Sequence, residues 1–251
     1  MDWLPFAPEL TALVAIALFL GGAVKGTVGV GLPLVVVSLL GSFLDPKLAV
    51  VLVTVPVVVS NVWQSLRSGI VLGAARRFWP LILPFVLCTW LGAQLLASMH
   101  TALLLGFLGA LVIGFSMLNL AQPQWRLAPR YEPFAGPGVG AVAGVLNGVS
   151  TVNGPPLIMY LVSLGLQKND FVGSYGLIAL AGSIPLVLSY IGVGLMGPAE
   201  FGASALALVP VLAGLLTGER LRRRIDPDLF RKVLLVVLIV LGLNLIRRAL
   251  Y

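Results

Sequence analysis

Charged residues are scarce in this sequence. Of its 251 residues, 59% are hydrophobic and only 10% are charged, whereas a soluble domain carries about 25% charged residues. A water-soluble globular protein is therefore excluded. The formal charge of +7 does not indicate nucleic-acid binding, because the basic residues flank apolar segments and form no extended face with interleaved aromatics.

Residues that build catalytic and metal centres are also scarce. Cys88 is the only cysteine and lies in an apolar run, which excludes a disulfide within the chain and a thiolate metal cluster. The only histidine, His100, and all nine acidic residues fall in predicted loops or termini. We therefore expect no enzyme, no metal, no other cofactor and no carboxylate relay for proton pumping.

Long apolar runs fill the rest of the chain. Several reach or approach the length of about 20 residues that crosses a bilayer as a helix. The runs are solid rather than alternating, which predicts an all-α polytopic membrane protein and not a transmembrane barrel. The start, MDWLPFAPEL, has two acidic residues and no basic one, so we expect it to stay in the mature protein rather than act as a signal peptide.

Two halves of the chain are related to each other. A shift of 122 residues aligns GAVKGTVGVGLPL, from Gly22, with GVLNGVSTVNGPP, from Gly144. Later in each half, a shift of 126 aligns GAQLLASMHTALL, from Gly92, with GERLRRRIDPDLF, from Gly218. This duplication predicts two repeats, each with a glycine-broken segment followed by three transmembrane helices.

The predicted boundaries follow from the apolar runs. The N-terminal repeat, 1–121, has a broken segment at 10–44 and helices at about 47–66, 76–98 and 101–121. After a polar linker at 122–131, the C-terminal repeat, 132–251, has a broken segment at 136–166 and helices at about 170–196, 199–217 and 228–248.

The lysines and arginines predict how the repeats lie in the membrane, because they collect in cytoplasmic loops. If each broken segment crosses fully, eight spans divide the basic residues seven to eight, which gives no orientation. If each is re-entrant, six spans place twelve on one face and leave Lys47, Arg247 and Arg248 opposite. This second arrangement is favoured and makes the halves inverted repeats with both termini outside. A seven-span form, with one re-entrant segment, stays open.

Among the lysines, arginines, histidine and acidic residues, only Lys25 lies within a segment that we expect to be buried. A charge at that depth is costly, which makes it a functional candidate. The glycines around it are expected to unwind the backbone and free amide N–H groups, and Pro33 can begin the next helix. Freed N–H groups together with a cation predict an anion site.

The second broken motif, NGVSTVNGPP, is uncharged but offers hydroxyl and amide donors. Broken segments at corresponding positions of two halves are the best sequence pointer to the midplane site of a transporter. The predicted substrate site consists of Lys25, Gly26, Thr27, Gly29, Gly31, Asn147, Gly148, Ser150, Thr151, Asn153 and Gly154.

Structural roles for the same residues stay open. The pairs Gly22/Gly26 and Gly144/Gly148 also suit close helix packing, and Lys25 could snorkel to an interface or bond a helix C-terminus. Other polar residues could line a pathway or only join helices. They are Asn61, Gln64, Gln94, Tyr175 and Ser183, of which Asn61 and Ser183 are related by the shift of 122.

Both motifs and the later segments are similar to those of a known family. The stretches are KGTVGVGLPLVVVSLL, NGVSTVNGPPLIMYLVSLGL, GAQLLASM and GERLRRRI. In these stretches, and over nearly the whole chain, the sequence resembles the sulfite exporter TauE/SafE family. The resemblance implies a multi-pass inner-membrane protein that carries small sulfur-containing anions such as sulfite, sulfoacetate or other organosulfonates.

The predicted mechanism is alternating access, with the two broken segments meeting near the membrane centre around an oxyanion. A negative cell interior drives a monovalent anion outward by about 2.3 kcal/mol per 100 mV, which favours export. An anion channel, a coupled uptake carrier for a small organic anion and a non-transporting scaffold are the alternatives. The expected partners are the small anion and membrane lipid, and a homodimer stays open.

Overall fold

Helices form all the regular structure in the part of the chain that the structure describes. This computed structural model describes residues 8–68, 71–121, 126–222 and 226–251. The elements are α1 (Pro8–Val28), α2 (Leu32–Leu40), α3 (Pro46–Ser68), α4 (Val71–Ser98), α5 (Thr101–Ala121), a 3₁₀ turn (Pro129–Tyr131), α6 (Glu132–Ser150), α7 (Gly154–Ser163), α8 (Lys168–Gly192), α9 (Pro198–Leu206), α10 (Leu208–Leu221) and α11 (Pro227–Leu250). The prediction of an all-α protein is confirmed.

Seven segments of the described chain are long and apolar enough to cross a membrane. They are Glu9–Val28, Pro46–Leu66, Gly73–Ser98, Thr101–Ala121, Asp170–Gly192, Pro198–Leu221 and Lys232–Leu250. This result confirms the prediction of a polytopic membrane protein. The re-entrant and inverted arrangement of the repeats stays a prediction, because length and composition do not fix which helices cross.

One predicted helix is divided in the structure. We predict a single helix at 199–217, whereas α9 ends at Leu206 and α10 begins at Leu208, with Ala207 in a turn. Pro210 explains the division, since it has no N–H to donate to the carbonyl of Leu206 and its ring crowds that turn.

The chain forms two compact units that differ from the sequence repeats. Unit 1 comprises 1–56, 99–122 and 197–251, and unit 2 comprises 57–98 and 123–196. In unit 1, α1 packs mainly on α10, and α5 packs on α11. In unit 2, α4 packs on α6 and α8. The first helix of each predicted repeat thus packs on a late helix of the other repeat.

Small residues allow the two main helix pairs to approach closely, and they do so at equivalent positions. A Cβ atom added to Gly26 would lie 2.2 Å from the Leu215 carbonyl oxygen, and one added to Gly148 would lie 2.1 Å from the Thr89 carbonyl oxygen. Gly26 and Gly148 are related by the shift of 122, and Thr89 and Leu215 by the shift of 126. The same pattern holds for Gly22 on Val211 with Gly144 on Phe85, and for Gly218 on Ala23 with Gly92 on Val145.

Arg248 joins two helix ends in unit 1. Its guanidinium donates to the carbonyl oxygens of Gly41 and, at 3.2 Å, Leu44, just after α2 ends. A cation at this place stabilises the negative end of the α2 dipole.

Candidate functional site

The first broken segment lies between α1 and α2 in unit 1. α1 ends at Val28, Gly29 and Gly31 have positive φ of 91° and 98°, and α2 begins at Leu32. These φ values are costly for residues with a side chain, which explains the glycines. Pro33 follows in the first turn of α2, where its missing N–H is not needed. The break predicted from the glycines and the proline is therefore present.

The break begins later than the sequence suggests. We expect the backbone to unwind around Lys25, but α1 continues through it to Val28. Gly22 and Gly26 leave the helix intact, because their missing side chains are used for packing on α10. The packing alternative for these glycines, and for Gly144 and Gly148, is therefore what the structure contains. A substrate contact of Gly26 or Gly148 stays a prediction.

The second broken segment, between α6 and α7 in unit 2, repeats the geometry of the first. α6 ends at Ser150, and Thr151, equivalent to Gly29 under the shift of 122, has a φ of 59°. The N–H of Thr151 donates to the Asn147 carbonyl at 2.8 Å, and that of Gly29 donates to the Lys25 carbonyl at 2.7 Å. Lys25 and Asn147 thus hold equivalent places in the two units.

Open donors lie at both breaks. The N–H groups of Gly31 and Leu32 in unit 1, and of Asn153 and Gly154 in unit 2, donate to no acceptor within the described residues. These positions are again equivalent under the shift of 122. Uncovered N–H groups at the start of a helix carry partial positive charge and suit an anion.

Lys25 is buried within unit 1. Its exposed fraction is 6%, and it is the only residue with a fully charged side chain among the buried residues that the structure describes. Thr27, two residues further along α1, donates to the carbonyl of Ala23 at 2.8 Å and to that of Gly218 at 3.3 Å. Thr27 therefore joins α1 to α10, and Lys25 lies on a helix that is fixed in place.

A chain of buried side-chain hydrogen bonds surrounds the second break. Asn147 Nδ2 donates to Thr89 Oγ1 at 3.2 Å, and Asn153 Nδ2 donates to Asn147 Oδ1 at 2.9 Å. Tyr175 OH then donates to Asn153 Oδ1 at 3.1 Å. We call Thr89, Asn147, Asn153 and Tyr175 the amide network. Asn147 Nδ2 also donates to the Gly182 carbonyl at 3.4 Å, so the Asn147 carboxamide makes three hydrogen bonds within unit 2.

The other residues that are predicted to line a pathway do not form one cluster. Asn61 donates to Ser183 at 3.3 Å, so two residues predicted to be equivalent contact each other within unit 2. Gln64 packs beside Gly176, and Gln94 is exposed. Ser150 donates to the Leu146 carbonyl at 2.8 Å. The structure therefore brings Tyr175 into the amide network and leaves Gln94 on the outer face.

Sequence reasoning does not identify two polar residues that lie at this break. Thr89 accepts from Asn147, and Tyr190 OH donates to the Gly148 carbonyl at 2.8 Å. Both side chains are fully buried. Their only sequence signal is a polar group inside an apolar run, which many helix-joining residues share.

Comparison with known proteins gave a family match. The family model "Sulfite exporter TauE/SafE" matches residues 14–245, which include both breaks and the amide network. The chain belongs to this family. No curated protein and no solved structure gave a match. As a TauE/SafE member with seven apolar segments, it is a multi-pass membrane protein of a transporter family.

Within the described residues, no group of three or more His, Cys, Asp or Glu side chains is placed to hold a metal ion. The breaks offer amide and hydroxyl groups, and the binding of an anion by them stays a prediction.

Thr151 provides a test of the second break. A threonine with a φ of 59° is strained, and such strain is typical of functional sites. We expect Thr151→Gly to stabilise the protein by about 1 kcal/mol. Gly29→Ala should destabilise it by a similar amount, because open space surrounds Gly29 and only backbone strain is added. Thermal unfolding of the purified protein measures both, and a lower midpoint for Thr151→Gly would contradict this account.

Proposed function

We propose that this protein exports small sulfur-containing oxyanions, namely sulfite, sulfoacetate or other organosulfonates, across the cell inner membrane. The two repeats are inverted, each broken segment is re-entrant, and movement of the repeats exposes the substrate to each side in turn. Family membership supports export of sulfite or a related anion. The finer statements rest on the residues at the two breaks.

The observation that carries this proposal is the set of open N–H groups at equivalent positions of the two breaks. An oxyanion accepts hydrogen bonds and donates none or few, so it complements open N–H groups at the start of a helix. In unit 1 the buried Lys25 lies on the helix that precedes the break, and in unit 2 the amide network lies at the break. Donors that the fold holds in place at either break bind an anion with little reorganisation.

The membrane potential supplies the direction. An interior held negative drives each monovalent anion outward by about 2.3 kcal/mol per 100 mV, so export needs no coupling ion. Uptake against the same potential would need one.

Removing the charge of Lys25 tests the proposed site. We expect Lys25→Ala to weaken binding of the best ligand at least about tenfold, because hydrogen bonds to a charged group contribute about 1.5–3 kcal/mol. Binding or thermal shift of the purified protein would be measured against sulfite, sulfate, thiosulfate, taurine and sulfoacetate. Lys232→Ala is the matched control, since it removes the same group from an exposed position at the start of α11. Wild-type affinity in Lys25→Ala would show that the site is assigned wrongly.

Counterflow tests the transport mechanism. Proteoliposomes loaded with unlabelled ligand should accumulate labelled ligand transiently, because an alternating carrier exchanges the two. A continuously open anion channel gives flux without counterflow, and a non-transporting scaffold gives neither.

A further inference from the structure

We propose that two copies of this protein pair through α11, with the Asn244 side chain of each copy bonded to Asn244 of the partner subunit. The inference goes beyond the proposed function, because it does not depend on which anion is carried or in which direction. It identifies a second copy of the chain as a partner and names the helix face that binds it.

The unpaired carboxamide of Asn244 carries the first step. Asn244 lies inside the apolar segment Lys232–Leu250 of α11. Its side chain is partly exposed and makes no hydrogen bond to a residue that the structure describes. Four other asparagines do make side-chain hydrogen bonds, namely Asn61, Asn119, Asn147 and Asn153. An amide in hydrocarbon without a partner is costly, and a hydrogen bond to another helix removes that cost.

Asn244 lies on the face of α11 that points away from its neighbours in unit 1. The inward positions Leu235, Leu238, Gly242 and Leu245 are buried. A Cβ atom added to Gly242 would lie 3.0 Å from a backbone oxygen of α5, so this side is closely packed. The remainder of the helix is open, because only 22% of its apolar window is buried, compared with 33–61% in the other six spans. The outward face of α11 is therefore available to a partner.

The residues around Asn244 have the spacing of a seam between two helices. Val233, Val237, Val240 and Asn244 follow one another at intervals of four, three and four residues, which is the spacing of a left-handed helix pair. The three valines are 47–61% exposed. Valine has few rotamers to lose, so it packs against a neighbour at little entropic cost. A single asparagine in such a seam fixes the register and the number of helices.

The membrane determines how two copies meet on this face. Both copies insert in the same orientation, because the distribution of lysine and arginine is the same in each. A closed pair then has its two-fold axis along the membrane normal, and its two α11 helices run parallel. In a parallel pair each seam residue meets its own counterpart. A carboxamide both donates and accepts, so two Asn244 side chains satisfy each other where lipid tails offer no partner.

The basic residues at the end of α11 are compatible with this pairing. Arg247 is exposed and lies about one turn beyond Asn244. Its long side chain can reach the headgroup region, where water and salt screen the repulsion between the two copies. Arg248 donates to the carbonyls of Gly41 and Leu44 within its own chain.

The dimer affinity of Asn244→Leu tests the proposal. Labelled full-length protein would be reconstituted in liposomes at increasing lipid-to-protein ratios, with energy transfer between copies as the measure of dissociation. We expect Asn244→Leu to raise the dissociation constant about fivefold to thirtyfold, the effect of an interhelical hydrogen bond in a membrane. Asn244→Gln should retain most of the affinity, because it keeps the carboxamide. Asn119→Leu is the matched control, since it removes a carboxamide that already donates to the Phe115 carbonyl.

Cross-linking locates the interface independently of affinity. Cys88→Ser removes the only cysteine of the chain and provides the background for single-cysteine variants. Val233→Cys and Val240→Cys should each form a disulfide between copies when membranes are oxidised with copper phenanthroline, because both lie on the seam. Val209→Cys is the control, since it is exposed on α10 and lies outside the seam.

Three results would overturn the pairing. They are a monomeric wild-type protein at every lipid ratio, equal dissociation constants for wild type and Asn244→Leu, and cross-links at Val209 without cross-links at Val240. None of them bears on anion export, which ligand binding and counterflow test separately.

Discussion

Alanine at position 148 is expected to destabilise the protein by at least about 3 kcal/mol, at the upper end of overpacking effects. The new Cβ would lie 2.1 Å from the Thr89 carbonyl oxygen and 2.6 Å from the Ala93 nitrogen. Both are backbone atoms of α4, so no side-chain rotation relieves the clash and the two helices must separate. Denaturant or thermal unfolding of the purified protein measures the loss.

The same helix offers a matched control. Gly138 lies on α6 with open space around it, so Gly138→Ala should be neutral or stabilise the helix by up to about 1 kcal/mol. Gly26→Ala in unit 1 should behave like Gly148→Ala, since it meets the Leu215 carbonyl. Equal midpoints for the variants at 148 and 138 would contradict the packing role. Normal stability with lost ligand affinity would instead favour the predicted substrate contact of Gly148.

The second large effect is expected at Ser204, where Ser204→Ala should destabilise the protein by about 2 kcal/mol. Pro56 lies inside α3 and has no N–H to donate to the Leu52 carbonyl. Ser204 Oγ donates to that carbonyl at 3.0 Å and accepts the N–H of Val55 at 3.0 Å. The hydroxyl thus satisfies two backbone groups in a place where no water replaces it.

A double-mutant cycle isolates this effect. In Pro56→Ala the new N–H can bond the Leu52 carbonyl, so Ser204→Ala should cost about half as much in that background. Ser98→Ala is the control, because it removes an exposed hydroxyl bonded only to Leu95, and should change stability by less than about 0.5 kcal/mol. An unchanged cost of Ser204→Ala in the Pro56→Ala background would rule out the bridging role.

Much of the fold is predictable because its causes are local. Apolar length predicts helices, and α5 has the expected bounds of 101–121. Glycines and prolines predict the breaks at 29–31 and 151–153, since both restrict or release backbone angles within a few residues. The repeat is also visible in sequence, and its two shifts match equivalent contacts in the structure.

The candidate site is predictable only in part. The uncharged motif identifies Asn147 and Asn153, but their partners Thr89 and Tyr175 lie far away in sequence. Thr151 is a further exception, because sequence rules favour glycine where φ is positive, as at the equivalent Gly29. Such a departure is expected where function retains strain.

The sequence by itself determined that this protein lies in a membrane, that its two halves are related, where its two breaks lie and that buried charge is rare. Only the tertiary structure decided that α1 packs on α10 and α6 on α4, that Gly22 and Gly26 serve this packing, and that Lys25 is still helical. The physical reason is the membrane. Helices that face lipid are apolar on all sides, so their hydrophobic pattern does not reveal which face meets a neighbour. Close contacts and hydrogen bonds between residues that are distant in sequence determine which helix faces meet.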